Sequence, residues 1–278
     1  MIRPSPIRCL TVGDVSVSEM RDVQRSLDQV TKLDLAATSQ IAITERPQID
    51  PQWIVLLQSR PGAIDQSDVE SLHREFPLAR LIEVAGVWSE AVTVKGPQLD
   101  GVYRVYWHEF PMRLAAAIWR HQAGGDGGWT FPRTASSSDL LMEPDGMDLS
   151  HLQFPSDSIS VVAETRTDFE SIEMIVSQFG CQSNWIQLNR QTTNNVPADR
   201  VLVWNCGPWN DKTDEQRRVL ESAVPKFQRL LLLDFPRADH VESTMESGWF
   251  VLGRPFHRQD VVFAIVEASK PRPDSNRL

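Results

Sequence analysis

The chain has 278 residues, 41% hydrophobic and 23% charged, with 28 basic against 37 acidic side chains. It is too apolar to be a disordered polypeptide and long enough for two cores of ordinary size. The acidic balance, without Lys/Arg clusters, argues against a surface that holds nucleic acid. Apolar runs such as Leu230 to Leu233 and Val261 to Val266 fall well short of the roughly 20 residues a membrane span needs. The apolar stretch after Met1 to Pro6 meets Asp14 too soon for a signal peptide, so a cytoplasmic location is expected. Cys9, Cys181 and Cys206 form no Cys-x-x-Cys pair, and neither a disulfide framework, a metal nor another cofactor is expected.

In chain order, Arg8 to Val12 reads as a strand, Ser18 to Val30 as a helix and Asp34 to Ala37 as a second strand. Trp53 to Leu57, a helix over Gln66 to Phe76, Arg80 to Val84, Val102 to Tyr106 and a helix over Pro111 to Arg120 follow. Trp88 to Leu99 contains Gly96-Pro97 and reads poorly as helix. The second half repeats the grammar. Ile159 to Ala163 is a strand. Asp168 to Phe179 carries Phe169, Ile172, Ile175, Val176 and Phe179 at helical spacing and stops at Gly180. Strands are then expected at Trp185 to Leu188, Arg200 to Trp204, Arg229 to Leu233 and Trp249 to Leu252, with helices at Asp214 to Val224, His240 to Glu246 and Arg258 to Ala268.

Near-continuous apolar strands alternating with amphipathic helices predict an α/β fold in which each half is a doubly wound, flavodoxin-like, five-stranded parallel sheet. Sliding the halves by about 147 residues superposes Trp53-Ile-Val-Leu-Leu-Gln-Ser-Arg-Pro on Arg200-Val-Leu-Val-Trp-Asn-Cys-Gly-Pro, the mark of a tandem duplication. The expected domains are 1–121 and 158–270, joined by a Gly/Ser/Pro/Asp-rich linker at 122–157 and followed by a tail at 271–278. That linker holds six acidic side chains and one basic, so more than half of the net charge of −9 lies in it. Gly124-Gly-Asp-Gly-Gly lacks the Lys-Ser/Thr of a phosphate-cradling loop and reads as linker. No Gly-x-Ser-x-Gly, His-Glu-x-x-His or Gly-x-Gly-x-x-Gly occurs, so the sequence carries no fingerprint of hydrolase, zinc protease or dinucleotide enzyme.

The stretch Phe250-Val-Leu-Gly-Arg-Pro-Phe-His-Arg-Gln-Asp-Val-Val-Phe-Ala-Ile resembles the end of a response-regulator receiver domain, where a fifth strand runs into Lys-Pro-Phe before the last helix. The resemblance covers about 110 residues of the C-terminal half and, more faintly, a similar length of the N-terminal half. It implies an acid pair after the first strand for Mg²⁺, an acceptor Asp after the third, a hydroxyl after the fourth and a lysine after the fifth. Mg²⁺ wants hard oxygen ligands, and phosphoryl transfer rests on positioning and charge neutralisation.

Those positions are degenerate in both halves. The C-terminal half offers Glu164, Trp204 or Asn205, Asp234 and Arg254; the N-terminal half offers Asp14, Gln58, Ala85 and His108. No carboxylate stands at either acceptor position, and Arg for Lys is not conservative where a compact ammonium must approach phosphate. Arg254, Asp234 and Glu164 are expected to meet at the carboxyl edge of the sheet, with Trp204 filling the volume that Mg²⁺ and phosphate would need. His108 could pair with Glu109 and Asp14. Trp88, Trp129 and Trp209 fall in loops or linker, where they serve either as binding anchors or as caps on their own core.

The expected protein is a non-catalytic signalling module that binds a protein partner or itself. The alternative is a reassigned small-ligand or nucleotide pocket, or an enzyme, at Glu164, Asp234 and Arg254. With only Lys270-Pro-Arg-Pro-Asp-Ser-Asn-Arg-Leu at its end, no output domain is expected to follow.

Overall fold

The computed structural model describes residues 7–28, 31–36, 39, 42–43, 50–90, 99–122, 129, 154, 158–187, 201–223, 228–254, 256 and 258–269. The chain divides into two compact units, Met1–Pro144 and Asp145–Leu278.

The first unit is built on β1 (Ile7–Gly13), β2 (Thr31–Ala36), β3 (Trp53–Gln58), β4 (Arg80–Ala85) and β5 (Tyr103–Tyr106). All pairings are parallel, in the order β2-β1-β3-β4-β5, which is the flavodoxin-like doubly wound arrangement. The crossovers include α1 (Ser18–Asp28), α2 (Gln66–Glu75) and the single turn α3 (Val87–Glu90), and α4 (Phe110–Gln122) follows the last strand.

Central β3 is buried at all six residues, as a parallel strand covered on both faces must be. α1 buries Met20, Val23 and Leu27 at helical spacing. α2 starts with a reciprocal capping box, in which Asp65 accepts from the Asp68 N–H and Asp68 accepts from the Asp65 N–H. Gly13 ends β1 at φ +130, and a Cβ there would lie 2.9 Å from both Cβ and O of Leu57. Only glycine allows β1 to reach its register partner on β3 at that point.

The second unit repeats the plan with β6 (Ser158–Ala163), β7 (Gln182–Ile186), β8 (Leu202–Pro208), β9 (Arg229–Asp234) and β10 (Phe250–Arg254). Its sheet order, β10-β9-β8-β6-β7, is the same topology written from the other edge, again all parallel. The helices are α5 (Arg166–Val176), α6 (Asp211–Ala223), α7 (Ala238–Glu246) and α8 (Arg258–Ala268). α8 is buried at eight of its residues, as its apolar composition on every side requires. The apolar stripe expected to run to Phe179 leaves the α-helix at Val176 and finishes as a 3₁₀ turn closed by Gly180 at φ 70.

Several boundaries differ from the sequence expectation, the start of β2 at Thr31 among them, and two have a visible cause. β7 begins at Gln182, and β8 reaches Pro208 through a register shift between Asn205 and Gly207. Polar Gln182, Ser183 and Asn184 hide the first; the bulge, with Gly207 at φ +76, lengthens the second. The acidic Gly/Ser/Pro segment lies mostly outside the described residues, as do the tail at 271–278 and Gly124 to Gly128.

Gln122, Trp129 and Phe154 are the described residues of that segment. Trp129 is 4% exposed, with its ring 4.6 Å from Trp53, 6.2 Å from Tyr103 and 6.0 Å from Phe110. It is a core residue of the first unit and not a surface anchor, because an aromatic cluster takes its whole apolar area out of water. Trp129→Ala should destabilise the first unit by about 3–5 kcal/mol, the usual cost of emptying a Trp site. A lowered urea midpoint measures this, and an unchanged midpoint would contradict the core role.

Candidate functional site

In both units the carboxyl ends of the parallel strands carry the residues singled out from the sequence, since the topology brings those ends to one edge. In the second unit the centre of the edge is Arg254. It lies opposite Asp234 in the β9–β10 register, and its Nη1 is 2.9 Å from Asp234 Oδ1. Its Nη2 donates to Asn205 Oδ1, and Asn205 Nδ2 in turn donates to the Asp168 carbonyl at 3.0 Å. The guanidinium fork thus joins the ends of β8, β9 and β10, while Asn205 ties β8 to α5. A planar fork with fixed donors suits this double contact as an ammonium would not.

The two candidates at the acceptor position point to opposite faces, as successive strand residues must. Trp204 is 2% exposed and packs with Val162, Leu220, Leu231 and Trp249, its ring 5.7 Å from that of Trp249. It does not fill the polar site, as the sequence suggested; Asn205 occupies it. Glu164 is also placed differently. Its side chain is 84% exposed and 3.7 Å from Lys212, apart from the Arg254–Asp234 pair. A lone carboxylate held by an arginine is a poor seat for Mg²⁺. At the neighbouring Cys206 burial pushes the thiol up to about 12 against the opposing hydrogen bond from Thr213, which disfavours the thiolate.

In the first unit Gln58 and Ala85 are register partners at the ends of β3 and β4. The Gln58 side chain is consumed by its own loop: Nε2 donates to the Ile64 carbonyl at 3.0 Å, and Oε1 accepts from the Ile64 N–H at 2.9 Å. Its carbonyl accepts from Gly86 N and Ser89 Oγ. Ala85 is fully buried. Asp14 is exposed, and hydrogen bonds from Ser16 hold its carboxyl below the ordinary range. His108 is buried, stacked on Tyr106 at 5.8 Å and edge-on to Trp107. Nearby β4 and β5 carry a cross-strand pair, Glu83 with Arg104 at 3.8 Å, in which burial raises the Glu83 carboxyl although Arg104 pulls the other way.

The tryptophans expected in loops divide, and Trp88 lies on the single turn α3. Trp88 is 69% exposed. Trp209 is partly buried, with His240 stacked at 5.0 Å and the Arg217 guanidinium 5.8 Å from its ring centre. It lines an open groove of about 650 Å³ between the start of α6 and α7, together with Arg218, Arg237 and Asp239. Burial lowers the His240 pKa, against the pull of Asp239.

Sequence reading missed Phe235. It directly follows Asp234, is 74% exposed and is held at φ 43, a conformation bulky side chains rarely adopt. It also missed Glu19, an acid buried on the apolar face of α1 within reach of Gly86; its place beside Met20 was the available signal. Among the described residues no group of three or more His, Cys, Asp or Glu could hold a metal ion, and no helix is long and apolar enough to cross a membrane.

No protein family model and no curated protein matches the sequence. Among solved structures the chain is similar to the RcsB response regulator of Salmonella typhimurium, with 13% identity over 63% of this chain and 79% of that one, at a TM-score of 0.31. It is also similar to a putative two-component system response regulator/GGDEF domain protein, with 13% identity over 94% and 99% and a TM-score of 0.33. PH0766 from Pyrococcus horikoshii shows 10% identity over 97% and 66%, at 0.32. At such values the likeness assigns neither family nor activity; the α/β class and the parallel, doubly wound topology stand on the strand order itself.

The opposite facing of Trp204 and Asn205 has a direct test in urea denaturation of two single mutants. Trp204→Asp should lose about 3–5 kcal/mol, since it empties a core site and buries a carboxylate. Asn205→Asp should stay within about 1 kcal/mol of wild type, because Arg254 offsets the lost amide donor. A reversed order would overturn the assignment of faces.

Proposed function

We propose that the chain is a tandem of two degenerate receiver-like domains that signals by binding, to a protein partner or to itself, and not by phosphoryl transfer. One observation carries the reading. An amide, not a carboxylate, stands at each acceptor position, and both amides are already committed: Gln58 to its own loop, and Asn205 to Arg254 and the Asp168 carbonyl. In this reading the Arg254 fork replaces the phosphoryl group as the link between the strand ends, so the second domain holds one state permanently. The displacement of Glu164 from Asp234 and Arg254 favours this reading over a reassigned ligand pocket.

Each unit also exposes one large aromatic shortly after its fourth strand, Trp88 in the first and Phe235 in the second. A rigid aromatic in water is a costly surface for a protein without a partner and a frequent anchor at contacts. Tandem duplication is the simplest source of two sheets with one topology.

Incubation with acetyl phosphate and Mg²⁺ should leave the intact mass unchanged and the melting temperature unshifted, since a ligand that binds only the folded state must raise it. A hydroxylamine-labile adduct of one phosphoryl group would refute the reading.

The domain limits proposed are 1–121 together with the buried Trp129, and 158–270, with the rest of 122–157 as the connecting segment. Limited proteolysis should cut after Trp129, within 130–138, and leave two stable fragments of about half the length. Digestion with no stable fragment would count against separable domains.

A further inference from the structure

Among the described residues Phe235 is the one non-glycine held at positive φ, at 43. Left-handed backbone brings Cβ too close to the carbonyl that follows, a clash from which glycine is exempt. The next residue, Pro236, adds to the disfavour, because a proline pushes the residue before it towards extended backbone. The ring gains little in return, since Phe235 is 74% exposed. Such a conformation persists only where its surroundings over-determine it.

Both sides of Phe235 are fixed. Directly before it, Asp234 ends β9 opposite Arg254 of β10 and meets its guanidinium at 2.9 Å, while the other arm of the same guanidinium donates to Asn205 on β8. Directly after it, Pro236 is buried and has its φ locked by its ring. Arg237 is extended at φ −90, ψ 159, and its carbonyl accepts from the Val241 N–H at 3.1 Å to close the first turn of α7. The change of direction between a pinned strand end and a pinned helix start therefore falls on Phe235. The first unit supplies the contrast. Its β4 ends in uncharged Ala85, and Gly86, which follows and could adopt a left-handed backbone freely, does not do so. The strain accompanies the ion pair and not the topology.

We propose that the Arg254–Asp234 pair is the latch of this turn, a conformational device in which the ion pair holds the β9–α7 connection, and the exposed Phe235 on it, in a strained backbone. The inference rests on the reading of Arg254 as the link between strand ends and names what that link displays. Both members of the pair are a little over a quarter exposed, so a charged group from outside can reach either one. Taking Asp234 or Arg254 out of the pair frees the turn to relax, and the strain supplies the bias.

Native-state hydrogen exchange of the full-length chain, read at the amides of β9, measures the opening of the second unit and tests the latch. With the pair intact, Phe235→Gly should open less often than Phe235→Ala by roughly threefold or more, because alanine keeps the strain that glycine removes. In an Arg254→Ala background the turn relaxes and the two variants should open alike. Asp234→Ala breaks the pair from the other side, should abolish the glycine advantage equally, and serves if Arg254→Ala does not fold. Equal opening of the two variants with the pair intact would mean that the turn is unstrained. A glycine advantage that survives loss of the pair would mean that something else holds it. Either result overturns the proposal, and neither bears on acetyl phosphate labelling, so this inference and the reading beneath it fail separately.

Discussion

Parallel pairing is the constraint from which the rest of this structure follows. Neighbouring strands that run the same way need a crossover between them, and right-handed crossovers in the order β2-β1-β3-β4-β5 bury the central strands on both faces. That explains why β3 in one unit and β9 in the other carry almost no polar residue before their last position. It also gathers the last residue of each strand on one edge, where backbone groups emerge from the sheet and chemistry can be placed. Whatever the edge does is decided by a handful of side chains at strand ends.

At that edge the second unit carries an internally satisfied polar site. Arg254 meets a carboxylate and an amide at once, and both partners lie on neighbouring strands. Asp234 and Arg254 are each a little over a quarter exposed, so solvent screens their pair and its worth to stability is modest. Its effect lies in specificity, since three strand ends and one helix are held in a single geometry. The first unit reaches a similar end without charge, through an amide folded back on its own loop and a buried alanine beside it.

Another polar cluster of the second unit is arranged in the same way. Arg217 contacts Asp214, Glu221 and Ser247 while lying against Trp209, and Trp249 gives its indole N–H to Glu221. These contacts let a charged helix cover an aromatic core without leaving buried donors unmet. The exposed aromatics Trp88 and Phe235 stand outside this economy.

The sequence by itself determined the element order, most boundaries and the parallel, doubly wound class, because these follow from local periodicity: apolar runs such as Arg229 to Leu233, and the helical spacing of Phe169, Ile172, Ile175 and Val176. It also showed no carboxylate at the strand-end positions it singled out, Gln58 in one half and Trp204 or Asn205 in the other, since residue identity there needs no coordinates. What only the tertiary structure decided is direction and distance. A bulge after Asn205 and the alternation of strand side chains sent Trp204 into the core and Asn205 to the edge, and no one-dimensional pattern distinguishes neighbours one residue apart. Glu164 turned to Lys212, and Trp129 left apparent linker for the aromatic core, because the contacts that bind them join residues far apart in the chain, beyond the reach of any local rule.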